Sequence, residues 1–231
     1  ARVPVYIVHL SSADALEQVT LARNRGVAVF AETCPQYLFL DDSYYDQEGF
    51  EGAKVVMSPP LRKKKDQQAL WAAINQNLVQ HVATDHCPFC MDQKAMGKDN
   101  FSKIPNGAPG VENRFELLYS EGVAQGRIGL NKFVEMSSTG AAKIFGLCPR
   151  KGTIAIGSDA DLVIWDEREF VLSNAHLHHA VDYTPYAGMT LRAWPGMTIA
   201  SGDIVWDGRQ FHPRAGRGRF LPCGAPTLRP R

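Results

Sequence analysis

Neither sign of charge dominates this sequence. Its 25 lysines and arginines offset 24 aspartates and glutamates, which leaves a net charge of +1 at neutral pH. A chain so balanced carries no basic field to draw in nucleic acid or to hold it on an anionic membrane. Long apolar runs are missing too, since no stretch reaches the length of a bilayer span. The opening Ala1-Arg2-Val3-Pro4 has no signal-peptide pattern and leads straight into a strand-like run. A domain seldom begins inside a strand, so these residues are expected to lie downstream of a further segment. Cysteine is sparse and odd in number: Cys34, Cys87, Cys90, Cys148 and Cys223. Five thiols, mostly far apart, fit a reduced cytosolic protein rather than a disulfide framework.

What is present is an ordinary globular composition, 45% apolar and 21% charged over 231 residues, enough to bury a sizeable core. Val82-Ala83-Thr84-Asp85-His86-Cys87-Pro88-Phe89 reads as a short buried strand that stops at an acid, with Pro88 turning the chain outward. The C-terminal tip of a buried strand is where an α/β barrel keeps its chemistry. Val5-Tyr6-Ile7-Val8-His9 repeats the pattern and ends in an imidazole. Two strands that deliver a His and an Asp to one rim would make half of a metal-dependent hydrolytic site.

Between them, Ser11 or Ser12 can cap a helix carrying Leu16, Val19 and Ala22, which Gly26 ends. Val27-Ala28-Val29-Phe30-Ala31 is the next strand, closing in Glu32-Thr33-Cys34-Pro35. Strand, helix and strand at this spacing predict parallel pairing with helices on the faces. A loop with a short helix is expected over 41–52. Ser58-Pro59-Pro60 then forms an extended loop that two prolines stiffen. Lys63-Lys64-Lys65 reads as the solvated entry to a helix over 66–77 with Leu70, Trp71 and Ile74 inward. Glycines and prolines break the stretch 87–110, a long loop of the kind that contacts substrates. Helices are expected over 111–121 and 130–145, the second interrupted by Ser137-Ser138-Thr139-Gly140. Cys87-Pro88-Phe89-Cys90 reads as incidental thiols, and His176, His178 and His179 as a solvated or interface loop.

Past Cys148 the pattern turns to short strands, at 152–157, 160–165, 198–202 and 204–208. A smaller β-rich domain over 148–213 is expected, with Trp165 and Trp206 in its core. The tail 214–231, rich in Pro, Gly and Arg, is expected to be an extended arm, packed on a neighbour or disordered.

Five blocks in order resemble one family: Val8-His9-Leu10-Ser11-Ser12, Glu32-Thr33-Cys34-Pro35-Gln36-Tyr37-Leu38, Met57-Ser58-Pro59-Pro60-Leu61-Arg62, Thr84-Asp85-His86-Cys87-Pro88-Phe89 and Lys103-Ile104-Pro105-Asn106-Gly107. They look like the dihydropyrimidinase/D-hydantoinase branch of the amidohydrolase superfamily. Pro149-Arg150-Lys151-Gly152 with Gly157-Ser158-Asp159-Ala160-Asp161-Leu162-Val163 resembles that family's return to its small β domain. The resemblance implies an α/β fold: the C-terminal part of a metal-dependent (β/α)₈ barrel over 1–147, followed by a small β-sandwich over 148–213. It implies a zinc-dependent cyclic amidohydrolase that opens hydantoins or 5,6-dihydropyrimidines at a cyclic amide C–N bond. Two Zn²⁺ per site, bridged by a carboxylated lysine, come with it.

Matched block by block, the resemblance makes His9 a metal ligand, and Asp85 both a metal ligand and the catalytic proton acceptor. Ser58 and Asn106 would hold the cyclic amide through their backbone groups, with Asn113 the alternative to Asn106. The family's His-x-His pair, its lysine and one further histidine have no counterpart here; His176-Leu177-His178 lies far down the tail. The chain therefore resembles the C-terminal half of such an enzyme, with the remaining ligands outside it. A small cyclic amide or ureide is the implied substrate and a cytoplasmic homotetramer the implied assembly, with no nucleic acid and no membrane as partner. Rival readings are an allantoinase, a dihydroorotase, or a relative that keeps the barrel, loses its metal ligands and serves as an assembly or cytoskeleton-associated protein. Gln36 stands where dihydroorotases usually place His.

Overall fold

The computed structural model describes residues 3–228. The opening Ala1-Arg2 and the last three residues of the expected arm lie outside them. Strand β1 (Val5–Ile7), helix α1 (Ala13–Asn24) and strand β2 (Val29–Thr33) form the expected parallel unit, with Val5 opposite Val29 and Ile7 opposite Ala31. Ser12 caps α1, its hydroxyl accepting from Ala15 N at 3.2 Å, while Leu16 and Val19 face inward. Gly26 takes the left-handed conformation that ends it, at φ +76°. Arg23 on the last turn donates to Val29 O (2.8 Å), Asn77 O (3.0 Å) and Gln80 Oε1 (2.8 Å). One guanidinium thus fastens α1 to two strand entries.

Pro35 sits where a fixed φ suits the first turn of a helix, and α2 (Pro35–Phe39) follows β2 directly, an element the sequence pattern did not reveal. The stretch 41–52 holds 3₁₀ turns, Asp42–Asp46 and Glu51–Val55, rather than one short helix. Helix α3 (Lys64–Asn75) buries Leu70, Trp71 and Ile74 as expected. It leads to β3 (His81–Val82), which pairs parallel with β2, Glu32 opposite His81 and Thr33 opposite Val82. The sheet order is β1-β2-β3, so all three C-terminal ends open on one rim.

Helix α4 (Met91–Lys94) interrupts the long loop. Helix α5 (Arg114–Leu117) continues into a π-helical turn, Leu118–Val123. Helix α6 (Leu130–Val134) runs through a second, Glu135–Thr139, into α7 (Gly140–Ile144). The interruption expected at Ser137 to Gly140 is thus a widening of the helix and not a break. Ser137 Oγ donates back to Phe133 O at 2.7 Å. Gly140 lets this helix touch the entry to β3: a Cβ there would come within 2.2 Å of Gln80 O.

Strands β4 (Leu162–Val171), β5 (Thr190–Ala200) and β6 (Asp203–Trp206) form an antiparallel sheet in that order. The strand expected at 152–157 is not there. That stretch folds as turns held by Lys151 on Asp159 (3.0 Å) and Asp161, and Ile154 and Ile156 stand 87% and 109% exposed. A β-branched run without a neighbouring edge to pair with does not become a strand. Trp165 packs on Tyr119 (5.6 Å) and Phe133 (5.8 Å), so it joins the sheet to the helices instead of filling a separate β core. Trp206 donates from Nε1 to Pro195 O (3.0 Å) and meets Phe211 at 4.7 Å. Leu172, Leu191 and Trp194 belong to the same apolar cluster as Leu70, Val82, Leu117 and Met136. The tail lies extended on its own chain: Arg214 pairs with Asp203 (2.8 Å), and Gly224 and Thr227 donate to Gly146 O and Lys143 O. Among the described residues no helix is long and apolar enough to cross a membrane.

Candidate active site

His9 follows β1 by two residues and Asp85 follows β3 by three. Both are left-handed, with φ of +40° and +48°. A non-glycine residue held there costs roughly 1–3 kcal/mol, and such strain gathers at functional sites. The neighbours enforce it. Leu10 N donates to Glu32 O (2.8 Å), Thr33 Oγ1 to Leu10 O (2.7 Å), Ala83 N to Thr33 O (2.9 Å) and Gln36 Nε2 to Thr84 O (3.4 Å). Because β1 and β3 flank β2, the two positions stand two strand spacings apart on one rim, about 10 Å. Between them Cys34 is fully buried, and burial, then the charges of Glu32 and Asp85, push its thiol well up. Burial also raises Tyr37, with smaller contributions from Cys34 and Asp85.

Imidazole nitrogen and carboxylate oxygen are donors that Zn²⁺ accepts, but a zinc centre takes three or four protein ligands. Among the described residues no three His, Cys, Asp or Glu side chains gather to hold an ion. His9 and Asp85 thus fit one edge of a metal centre. The other candidates are engaged: His178 Nδ1 meets Glu112 Oε1 (2.5 Å), His179 Nε2 meets Asn174 Oδ1 (2.8 Å) and His176 Nδ1 meets Ser173 Oγ (3.0 Å). Cys87 is exposed, and Cys90 Sγ approaches Ala180 O at 3.8 Å.

Ser58 and Asn106, 48 residues apart in sequence, are brought together, the Ser58 hydroxyl donating to Asn106 Oδ1 at 3.3 Å. Both line a cavity of about 600 Å³ whose walls include Tyr45, Phe50, Met57 and Phe101. Tyrosines fix the Ser58 loop: Tyr37 OH donates to Pro59 O, and Leu61 N donates to Tyr45 OH, each at 2.8 Å. Asn113, the alternative to Asn106, is 1% exposed and lines no part of this cavity.

Two further residues shape these loops, and one of them, Lys94, stands in none of the five sequence blocks. Lys94 is fully buried. Its Nζ donates to Val56 O (2.9 Å), Pro105 O (3.0 Å) and Gly107 O (2.8 Å). Gly107, at φ +140°, donates to Val56 O at 3.0 Å, and a Cβ there would fall 2.1 Å from Cys87 O. Only glycine permits that approach of the Asn106 loop to the loop after Asp85.

The family model described as "Amidohydrolase family" matches residues 6–205. A D-hydantoinase of Geobacillus stearothermophilus is 48% identical over 219 residues, 94% of this chain and 46% of that protein. A D-phenylhydantoinase of Escherichia coli is 47% identical over 220 residues, again 94% of this chain and 47% of that protein. The crystal structure of dihydropyrimidinase from Brevibacillus agri superposes with a TM-score of 0.95 at 44% identity, covering 99% of this chain and 50% of that one. The chain spans about half the length of the relatives it matches. With sequence and fold in agreement, the chain belongs to the amidohydrolase family.

Proposed function

We propose that this chain is the C-terminal part of a zinc-dependent cyclic amidohydrolase that opens hydantoins or 5,6-dihydropyrimidines by hydrolysing a ring amide C–N bond. The observation that carries the reading is the paired placement of His9 and Asp85, both held left-handed at one end of the two parallel strands that flank β2. The names of the relatives supply the substrate class. In this reading β1 to β3 are the closing strands of a (β/α)₈ barrel over 1–147. Strands β4 to β6 belong to a sandwich domain over 148–213, and 214–231 is an arm. His9 and Asp85 would hold part of a two-zinc centre, with the other ligands, a carboxylated lysine among them, in the remainder of the protein.

Bound zinc supplies Lewis acidity toward the ring carbonyl. Asp85 takes a proton from the attacking water and returns it to the departing ring nitrogen, a task that asks only for a carboxylate within reach of both. Backbone groups of Ser58 and Asn106 hold the cyclic amide, and the hydrogen bond between their side chains ties the two loops together. The free thiols support a cytoplasmic enzyme, and the family resemblance supports a tetramer. The test is ring opening of hydantoin and dihydrouracil by the zinc-loaded full-length protein, followed by chromatography of the N-carbamoyl product. Formation of that product, lost in Asp85→Asn, is the expected result. No product from either ring would overturn the reading.

A further inference from the structure

We infer that Lys94 is a positioning residue of this site: its ammonium sets the spacing and orientation of the backbone groups at Ser58 and Asn106. This rests on the reading above that those two residues hold the substrate.

Lys94 has no exposed surface, and its hydrogen-bond partners are three main-chain carbonyls, with no carboxylate among them. Burying a cation without a counter-charge is costly unless every donor is used. Here all three N–H groups are. The acceptors are not scattered: Pro105 and Gly107 bracket Asn106, and Val56 stands two residues before Ser58. Holding Pro105 O fixes the peptide plane before Asn106, a rigid unit, and holding Gly107 O fixes the plane one residue beyond it, while the plane between carries Gly107 N. Gly107 N closes the same ring by donating to Val56 O. A guanidinium, being planar, cannot aim three donors at carbonyls that converge on one point, and a thioether cannot donate at all. The side chain never reaches the cavity, so it acts on substrate only through the two loops it joins.

The test uses Lys94→Met and Lys94→Arg in the full-length zinc-loaded enzyme, with KM and kcat for hydantoin, the melting temperature, and hydrogen exchange of the Gly107 amide. A displaced substrate cradle weakens ground-state and transition-state binding together, so KM should rise about tenfold or more while kcat stays within about threefold. Gly107 exchange should quicken while the strand amides stay protected. A folded Lys94→Met with wild-type KM and wild-type Gly107 exchange overturns the inference. So does one that loses kcat at unchanged KM, which would make Lys94 a reacting group. If Lys94→Met does not fold, Lys94→Arg decides: raised KM upholds the inference, and wild-type KM, or failure to fold as well, overturns it. Should the wild-type protein open no ring, the substrate reading falls by itself. Gly107 exchange then still reports whether Lys94 joins the loops.

Discussion

At the scale of single residues, the site divides into what strand ends announce and what only the fold reveals. That His9 and Asp85 stand at strand ends on one rim is legible because each closes a β-branched run, a position where a polar side chain is conspicuous. Asp85→Asn should keep the fold and lower turnover by about 10²–10⁴-fold, the usual contribution of a general base. Retention of more than about a tenth of the rate would remove Asp85 from that role. His9→Ala should lower metal content before stability, since Val5, Ile7 and Val8 supply the strand's own packing. Elemental analysis after dialysis measures this directly, and excess Zn²⁺ or Mn²⁺ should restore part of the activity. Lys94 was not legible. Its partners are carbonyls from positions 56, 105 and 107, and main-chain acceptors leave no trace in residue identity.

At the scale of elements, helices with an apolar stripe were readable, while elements made by contact were not. Helix α2 exists because Tyr37 and Leu38 bury against the core, and 152–157 stays irregular because no edge receives it. The helix from α6 to α7 depends on Gly140 in the same way. Gly140→Ala should destabilise by roughly 1–3 kcal/mol in urea unfolding, the usual penalty of overpacking against backbone. Two buried groups give the fold a pH signature. Burial, then the charge of Arg114, holds His81 at about 4, with Nδ1 on Met136 O. Unfolded, it takes a proton near 6.5, so its contribution is full above that pH and is lost as pH falls toward 4. Glu116 runs the other way. Burial raises it to about 8. Its contribution is full below the unfolded value and is lost as pH rises through 8. Denaturant midpoints should therefore fall on both flanks, and Glu116→Gln should flatten the alkaline one. An unchanged alkaline slope in that variant would show that Glu116 is not its source.

At the scale of the whole molecule, the parallel sheet has two open edges, and apolar side chains such as Val5, Val8, Phe101 and Ile156 stand exposed. Unpaired edges of this kind recruit other chains. Expressed alone, this chain should self-associate and melt without a sharp transition. A monodisperse monomer by light scattering, with a cooperative near-ultraviolet melt, would contradict that expectation. Composition shifts near residue 148, yet Trp165 reaches Tyr119 and Phe133, and Leu191 shares its cluster with Leu117. The shift in composition is therefore no seam for recombination. A chimera that took its antiparallel sheet from a relative would inherit mismatched knobs against the helices of 114–144. Workable crossover points should instead carry those helices along with the sheet, so that what passes between relatives as one unit begins well before the first antiparallel strand.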